Sequence, residues 1–200
     1  MRIVKALHDG LVYDRRMRLL AEKLSVQLPR DARILDVGCG DGKVDSLITR
    51  LRPDVAIRGI DVLVRPRTYI PVTRFDGVEI PHPDASFDVV MFVDVLHHCQ
   101  EPAQVLAQAK RVTRRSVLIK DHTQEGLLAY QTLRFMDWFG NAHHGVALPN
   151  NFWTLEQWKD CIGQLGLQVR QWQDRLGLYP WPATWLFDRK LHFIASLERS

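Results

Sequence analysis

Two patterns of apolar residues alternate along the chain, and together they predict an α/β fold. Short apolar runs bounded by turn residues are typical of buried strands, and they occupy residues 33–38, 55–61, 72–76, 87–93, 116–120, 167–172 and 192–197. Apolar residues recur at helical spacing over residues 13–28, 42–51, 102–112, 124–139 and 154–165. This alternation indicates a doubly wound sheet with helices on both faces. Since no helical pattern separates the last two strands, we expect an antiparallel hairpin at one edge.

The composition fits a single domain of residues 1–200. The chain has 200 residues, of which 46% are hydrophobic, and its net charge of +4 is too small for a disordered chain. No apolar run approaches the about 20 residues that a membrane-spanning helix needs, and the start lacks the apolar core of a signal peptide. The chain has three cysteines, which are widely spaced, and this favours reduced thiols over a set of disulfides. We therefore expect a cytoplasmic protein without a membrane span.

The first predicted strand ends in a glycine-rich turn that follows an acid. The residues of this motif are Asp36, Gly38, Gly40 and Gly42. Glycines let a ligand approach the backbone where a strand turns into a helix, although a tight turn without a ligand is the alternative. The dinucleotide fingerprint needs a glycine at position 43, where this chain has Lys43, so a nicotinamide-dependent oxidoreductase is disfavoured. Carboxylates here would repel a pyrophosphate but attract an ammonium and a sulfonium.

Each of the next three predicted strands also ends in an acid. These acids are Asp61, Asp76 and Asp94. The carboxyl ends of parallel strands form the edge at which open α/β sheets bind ligands. A carboxylate at the position of Asp61 can accept hydrogen bonds from both hydroxyls of a ribose. The sequence therefore predicts a nucleoside-containing ligand at this edge.

The chain resembles the class I S-adenosylmethionine-dependent methyltransferases, and most closely their small "type 11" group. The features that carry the resemblance are the glycine motif, the three acids and the run from Phe87 to His98. The resemblance covers about residues 33–120. It implies a seven-stranded Rossmann-like sheet with a reversed last strand, S-adenosylmethionine as cofactor and S-adenosylhomocysteine as product. The family usually has a Pro-Gly-Gly turn before its fifth strand, where this chain has Arg114-Arg115-Ser116. That departure lies at the end of the strands away from the cofactor.

The resemblance also implies which residues bind the cofactor. The glycine turn would lie against its methionine part, Asp61 on its ribose and Val62 against its adenine. Asp76 would lie near the adenine amine, and the carbonyl of Val93 would accept a hydrogen bond from the methionine ammonium. The full set implied is Asp36, Gly38, Cys39, Gly40, Asp61, Val62, Asp76, Gly77 and Val93.

Histidines near the ends of the fourth and fifth strands are candidates for a general base, because imidazole titrates near neutral pH. His98 can serve as a base or pack against the cofactor and cap the following loop. Asp121 and His122 can bind or deprotonate an acceptor, or can be buried residues at the start of a helix. We interpret His97 as a packing residue. We expect no metal, because neighbouring residues on a loop rarely converge on one ion and no Cys-x-x-Cys or His-x-x-x-His spacing occurs.

Residues 136–151 combine aromatics, amides and two histidines, His143 and His144. Loops on a rigid sheet often determine specificity, so we expect the segment 122–153 to cover the acceptor site. The alternative is a segment that only packs on the edge of the sheet. The candidate bases are His98, His122, His143 and His144. The candidate acceptor contacts are Asp121, Trp138 and Asn141.

The function that we expect is methyl transfer to a small-molecule acceptor. The alternative is a non-catalytic sensor or partner subunit that binds S-adenosylmethionine without turnover. A nucleic-acid acceptor is disfavoured, because the position after the fourth strand lacks the Asp/Asn-Pro-Pro-aromatic motif of base-methylating relatives, and no Pro-Cys pair occurs. The arginines are also scattered over several elements and predict no basic stripe.

Overall fold

The computed structural model describes the backbone of residues 2–141 and 151–199, and the side chains of residues 13–138 and 151–199. Within these residues seven strands form one sheet. The strands are β1 (Arg33–Val37), β2 (Ala56–Asp61), β3 (Val72–Arg74), β4 (Phe87–Val93), β5 (Thr113–His122), β6 (Leu167–Gln173) and β7 (His192–Arg199). The helices are α1 (Arg2–Ser25), α2 (Lys43–Leu51), α3 (Pro102–Val112), α4 (Ala129–Asn141), α5 (Leu155–Gln164) and α6 (Thr184–Phe187), and a 3-10 turn spans Leu96–His98.

The strand order is β3-β2-β1-β4-β5-β7-β6. The strands from β1 to β5 pair in parallel, whereas β7 runs antiparallel to both of its neighbours, β5 and β6. This confirms the doubly wound sheet with a reversed last strand. The order of the chain reverses where β1 meets β4, and open α/β sheets bind ligands at the carboxyl ends of the strands beside such a point.

Apolar side chains cover both faces of the sheet, as predicted. Met91 of β4 lies on one face and packs in a cluster with Leu20 of α1. The next residue, Phe92, points to the other face, where it packs with Leu106 of α3 and Trp158 of α5. All five side chains are at most 2% exposed. The sheet is therefore packed tightly on both faces, and it can hold the loops at its carboxyl edge in fixed positions.

Two elements are longer than their patterns predict. The helix expected over residues 13–28 spans Arg2–Ser25, because residues 2–12 contain no proline that would stop it. The fifth strand, expected over residues 116–120, spans Thr113–His122, because antiparallel pairing with β7 continues to the pair His122–His192. The longer strand brings Asp121 and His122 into the sheet, so neither residue begins a helix.

The region after β5 also differs from expectation. The helix expected from residue 124 begins at Ala129. Gly126 and Leu128 have φ values of +94° and +58°, which no right-handed helix contains. The helix predicted after Thr154 is confirmed, and Thr154 and Gln157 form a capping box at its start. None of the helices in the described ranges combines the length and hydropathy that crossing a bilayer requires.

Candidate cofactor and acceptor site

The turn between β1 and α2 carries three glycines with left-handed backbone, with φ values of +75°, +60° and +74° for Gly38, Gly40 and Gly42. A Cβ at Gly38 would lie 2.1 Å from a methyl of Val95, and one at Gly42 would lie 2.4 Å from Ile70. A Cβ at Gly40 would meet no described atom within 4 Å. Two glycines thus allow close packing within the protein, and Gly40 is the position at which the loop faces open space.

Asp61, at the end of β2, holds the glycine turn in place. Its Oδ2 accepts a hydrogen bond of 2.8 Å from the backbone N–H of Gly40, and its Oδ1 accepts one of 2.8 Å from Leu63. The residue is 9% exposed. Each carboxylate oxygen can accept a further hydrogen bond, so Asp61 can receive two hydroxyl groups beside the open space over Gly40.

The residues implied at the adenine lie together. The side chain of Val62 is exposed, and a Cβ at Gly77 would lie 3.0 Å from it. Asp76 is exposed and its Oδ1 accepts hydrogen bonds of 2.8 Å from the backbone N–H groups of Val78 and Glu79. These bonds lower the pKa of Asp76. The turn therefore presents a charged carboxylate next to an apolar surface.

Asp36 lies in the interior, where it meets an acid that we did not single out in the sequence. Asp36 and Asp45 of α2 are 2% and 1% exposed. Burial and the neighbouring Asp45 raise the pKa of Asp36 well above its ordinary value, and burial raises the pKa of Asp45 to about 6. A proton shared by the two carboxyl groups accounts for an acid pair in this place. The thiol of Cys39 also points inward, since a Cβ at Gly59 of β2 would lie 2.2 Å from its Sγ.

Asp94 follows Val93 at the end of β4 and is held by two cations that the sequence did not indicate. Its Oδ2 accepts a hydrogen bond of 2.6 Å from Arg16 of α1, and its Oδ1 forms an ion pair with Lys120 of β5. Lys120 is fully buried and its Nζ lies 3.2 Å from Nδ1 of His192. Burial raises the pKa of Asp94, but Lys120 and Arg16 lower it below its ordinary range. Asp94 is therefore a charged carboxylate that lies between the cations of Arg16 and Lys120.

Asp121 connects the 3-10 turn after β4 with the end of β5. Its Oδ1 lies 2.6 Å from Nδ1 of His97 and accepts a backbone hydrogen bond of 2.8 Å from His122. Its Oδ2 accepts one of 2.9 Å from the backbone of Leu96. His97 therefore does more than pack: its ring stacks on Phe152 with centroids 5.2 Å apart, and its Nδ1 is also bonded to Asp121.

The histidines of this buried cluster, which surround Asp94, Lys120 and Asp121, differ in their pKa values. Burial lowers the pKa of His97, but the carboxylates of Asp121 and Asp137 overcome this and raise it to about 9. Burial, reinforced by Lys120, lowers the pKa of His122 to about 4. Burial and the nearby His97 also lower the pKa of His98. The imidazoles of His98 and His122 are thus neutral at neutral pH, and the pKa of about 4 makes His122 a weak base.

Helix α4 contributes to the cluster through a residue that we did not predict. Oδ1 of Asp137 lies 3.6 Å from Nε2 of His97 and 3.4 Å from Nε2 of His98. Trp138, predicted to contact the acceptor, is 59% exposed, because consecutive residues of a helix point in directions about 100° apart. One aromatic ring that does lie in the cluster is that of Phe152, which is 6% exposed.

Part of the expected lid lies outside the described residues. His143 and His144 belong to that part, and so does the side chain of Asn141. Two cavities of about 690 and 470 Å³ lie near the amino ends of the strands, among residues such as Arg30, Arg52 and Arg115. None of the candidate site residues lines either cavity. The candidate site is therefore the open surface over Gly40 together with the adjoining buried cluster.

Comparison with known proteins agrees with this geometry. A methyltransferase domain family matches residues 11–171. The chain is 34% identical over 110 residues to a 27-O-demethylrifamycin SV methyltransferase of Amycolatopsis mediterranei, a match that covers 48% of the chain and 40% of that protein. It is 29% identical over 99 residues to a tRNA (carboxymethyluridine(34)-5-O)-methyltransferase of Schizosaccharomyces pombe, which covers 48% of the chain and 42% of that protein. The chain thus matches less than half the length of each relative.

Solved structures show the same fold. A SAM-dependent methyltransferase from Aquifex aeolicus superposes with a TM-score of 0.63 at 17% identity, covering 92% of this chain and 93% of that one. The open turn at Gly40 and the two free lone pairs of Asp61 also suit a ligand with a ribose and a cationic amino acid part. The chain belongs to the methyltransferase domain family, and its cofactor is S-adenosylmethionine.

Proposed function

We propose that the protein transfers a methyl group from S-adenosylmethionine to a small-molecule acceptor. The observation that carries the proposal is the direct connection between the glycine turn and the buried cluster. Val95 packs against Gly38, and the next two residues, Leu96 and His97, are bonded to Asp121. A cofactor over the glycine turn and an acceptor beside the cluster would therefore be neighbours.

The proposed cofactor residues have distinct roles. The backbone at Gly40 allows close approach, and Asp61 accepts hydrogen bonds from the ribose hydroxyls. Val62 and Gly77 provide the surface for the adenine, and Val93 provides a carbonyl for the methionine ammonium. Bound S-adenosylmethionine supplies an electrophilic methyl group, and the protein's contribution is to align it with the nucleophile.

The burial of the cluster supports a small acceptor. Lys120, Asp121 and His192 are at most 1% exposed, and His122 is 8% exposed. A small molecule needs only the edge of the cluster, where the His98 side chain is 14% exposed, whereas a strand of nucleic acid would require more of these groups to become exposed. His98, whose side chain is 14% exposed, is the histidine that we assign to receive the proton that an acceptor hydroxyl or amine releases, because the pKa of about 4 makes His122 a weak base.

An RNA acceptor is the second candidate, because one of the relatives methylates tRNA. Radiolabelled S-adenosylmethionine, incubated with the protein and with either the small-molecule fraction or the RNA fraction of a cell extract, separates the two. We expect label in the small-molecule fraction. Label in RNA alone would overturn the acceptor class but not methyl transfer. A protein that binds S-adenosylhomocysteine and labels neither fraction would favour the non-catalytic sensor or partner subunit.

A further inference from the structure

Some of the largest apolar side chains of the protein lie on its surface, although such side chains are normally buried. Trp181, just before α6, and Trp185, within α6, are each 78% exposed. Leu186 of α6 is 50% exposed. In the region of α4, Leu127 is 83% exposed and Trp138 is 59% exposed. Exposed apolar residues that are rimmed by polar ones mark places where a protein binds a partner or a membrane.

Contacts between α4 and the residues after α6 bring these side chains into one region of the surface. Nη2 of Arg189 lies 3.4 Å from Oγ1 of Thr132 in α4. Leu191 packs in a buried cluster with Ala129 and Leu133 of α4. Helix α4 and the segment around α6 are therefore neighbours. The exposed apolar residues of this region, which we call the tryptophan surface, are Leu127, Trp138, Trp181, Trp185 and Leu186.

The tryptophan surface is surrounded by cations. Within residues 125–138 and 174–190, the most exposed charged residues are Arg134, Arg175, Arg189 and Lys190. Arg189 donates its hydrogen bonds to neutral oxygens, at 3.2 Å to the carbonyl of Leu186 and at 3.4 Å to Thr132. These bonds leave the positive charge of Arg189 uncompensated.

The four acids of the same two segments are less exposed and have other partners. Asp188 accepts backbone hydrogen bonds of 3.3 and 3.1 Å from the loop before α6, and Glu125 accepts one of 2.9 Å from the start of α5. Asp137 is 8% exposed and faces the buried histidines. Asp174 lies 3.8 Å from Lys190 and offsets part of that charge. The region therefore presents an excess of positive charge.

This combination of tryptophans and cations fits the surface of an anionic membrane. An indole has an apolar body and a polar N–H group, so it is favoured at the boundary between water and the hydrocarbon of a bilayer. A neighbouring arginine or lysine is attracted to anionic headgroups, and each such residue strengthens binding by about fivefold. A second copy of the chain fits less well, because a symmetric contact would bring the same cations together.

We propose that the tryptophan surface binds reversibly to membranes that contain anionic phospholipids. Trp181 and Trp185 enter the headgroup boundary, and Arg189 lies at the level of the lipid phosphates. Binding of this kind needs no membrane-spanning helix. Where the proposed function holds, an apolar acceptor dissolved in the membrane reaches the cluster beside α4, since Asp137 faces the cluster and the next residue, Trp138, is exposed.

Co-sedimentation of the full chain with lipid vesicles tests the proposal. Vesicles of phosphatidylcholine alone are compared with vesicles of phosphatidylcholine and phosphatidylglycerol. We expect the protein to bind the anionic vesicles at least about tenfold more tightly than the neutral ones, because several cations contribute. High salt should weaken this binding, because it screens exposed charges. The tryptophan fluorescence should shift to shorter wavelength as the indoles leave water.

Variants of the tryptophan surface should lose this binding. Trp181→Ser/Trp185→Ser should weaken binding to anionic vesicles by at least about tenfold, because the indoles no longer contribute apolar area. Arg189→Ser should weaken it by about fivefold. Val26→Ser and Arg30→Ser are the matched controls and should bind as the wild type does, because both residues are exposed and line cavities near the amino ends of the strands. Circular dichroism checks that each variant is folded.

Three results would overturn the proposal. The first is wild-type protein that binds anionic vesicles no better than neutral ones, and the second is a folded Trp181→Ser/Trp185→Ser protein that binds them as tightly as the wild type. The third is a dimer that this variant abolishes, without any binding to vesicles, since the surface would then belong to a second copy of the chain.

Calorimetry of S-adenosylhomocysteine with the same proteins separates this proposal from the proposed function. Wild-type protein that binds S-adenosylhomocysteine but no vesicles would contradict only the membrane surface. Protein that binds anionic vesicles but no S-adenosylhomocysteine would contradict the proposed function and support the membrane surface.

Discussion

The two halves of the candidate site are built in opposite ways. The half at β1, β2 and β3 is open, and its backbone faces the ligand site. Gly40 faces open space, and Asp61 holds the glycine turn by accepting a hydrogen bond from the backbone N–H of Gly40. The half at β4, β5 and α4 is buried and consists of charged side chains that face one another, among them Lys120 and Asp121. The first half is ready for a ligand, whereas a ligand of the second half must compete with existing partners.

Because of this difference, substitutions in the open half and in the buried half should affect different properties, namely cofactor binding and stability. Residues of the open half have few partners to lose, so substitutions there should act mainly on affinity for the cofactor. Residues of the buried half support each other, and removing one leaves its partner as an unpaired buried charge. Substitutions there should therefore act on stability first.

Removing Lys120 should give the largest effect on stability. Lys120→Met leaves Asp94 with Arg16 as its only described cation at short range. Loss of one partner of a buried ion pair costs about 3–5 kcal/mol, so the free energy of unfolding measured with urea should fall by that amount. Lys190→Met is the control, because the Lys190 side chain is 62% exposed. Equal stability of the two variants would show that Lys120 does not stabilise the cluster.

The glycine turn offers a matched pair of substitutions. Gly38→Val should destabilise the protein by about 2–4 kcal/mol, because left-handed strain adds to the collision with Val95. Gly40→Val should cost only about 1–2 kcal/mol of strain, yet should abolish binding of S-adenosylhomocysteine by filling the open space. Thermal unfolding and calorimetry measure the two effects. A Gly40→Val variant that still binds normally would place the cofactor elsewhere.

The acid pair beneath the turn should give a smaller, pH-dependent effect. The pKa of Asp45 in the folded protein is about 6, above its ordinary value, so the folded state binds that proton more tightly than the unfolded state. The contribution of Asp45 to stability should therefore be greatest below about pH 4 and should fall by up to about 3 kcal/mol as the pH rises through 6. Asp45→Asn should flatten this decline in urea unfolding measured from pH 4 to pH 8. If stability falls with pH in the Asp45→Asn protein as it does in the wild type, other titratable groups cause the fall.

Trp138 should give the smallest effect. Because its side chain is 59% exposed, Trp138→Ala should change the free energy of unfolding by no more than about 0.5 kcal/mol. It should also leave the affinity for S-adenosylhomocysteine unchanged. A large loss of stability would mean that the indole packs against the part of the chain between residues 142 and 150.

The sequence predicts the open half of the site better than the buried half, because the residues of the open half lie closer together along the chain. The open half depends on a short strand, a glycine turn and an acid at a strand end, all of which are local patterns. The buried half joins residues from four separate elements and from the loop after β4, namely Arg16, Asp94, Lys120, Asp137 and His192. Only the fold brings them together, so we could name Asp121 and His122 as candidates but not their partners.

Local patterns also do not show what some residues contact inside the protein. Gly38 has the residue type of a ligand contact, but its lack of a side chain is required by Val95, 57 residues later (95 − 38 = 57). Asp36 has the position of a ligand contact, but the structure buries it against Asp45. In both cases the residue also makes a contact with another element, which no spacing rule contains.

The central claim is that the open half binds the cofactor, and calorimetry of S-adenosylhomocysteine with wild-type protein and Asp61→Ala tests it most directly. Asp84→Ala is the control, because the Asp84 side chain is 77% exposed and pairs with Arg111. The account predicts that wild-type and Asp84→Ala proteins bind equally well. It predicts that Asp61→Ala loses about 2–4 kcal/mol, because two charge-assisted hydrogen bonds are absent. Equal affinity of all three proteins would contradict it.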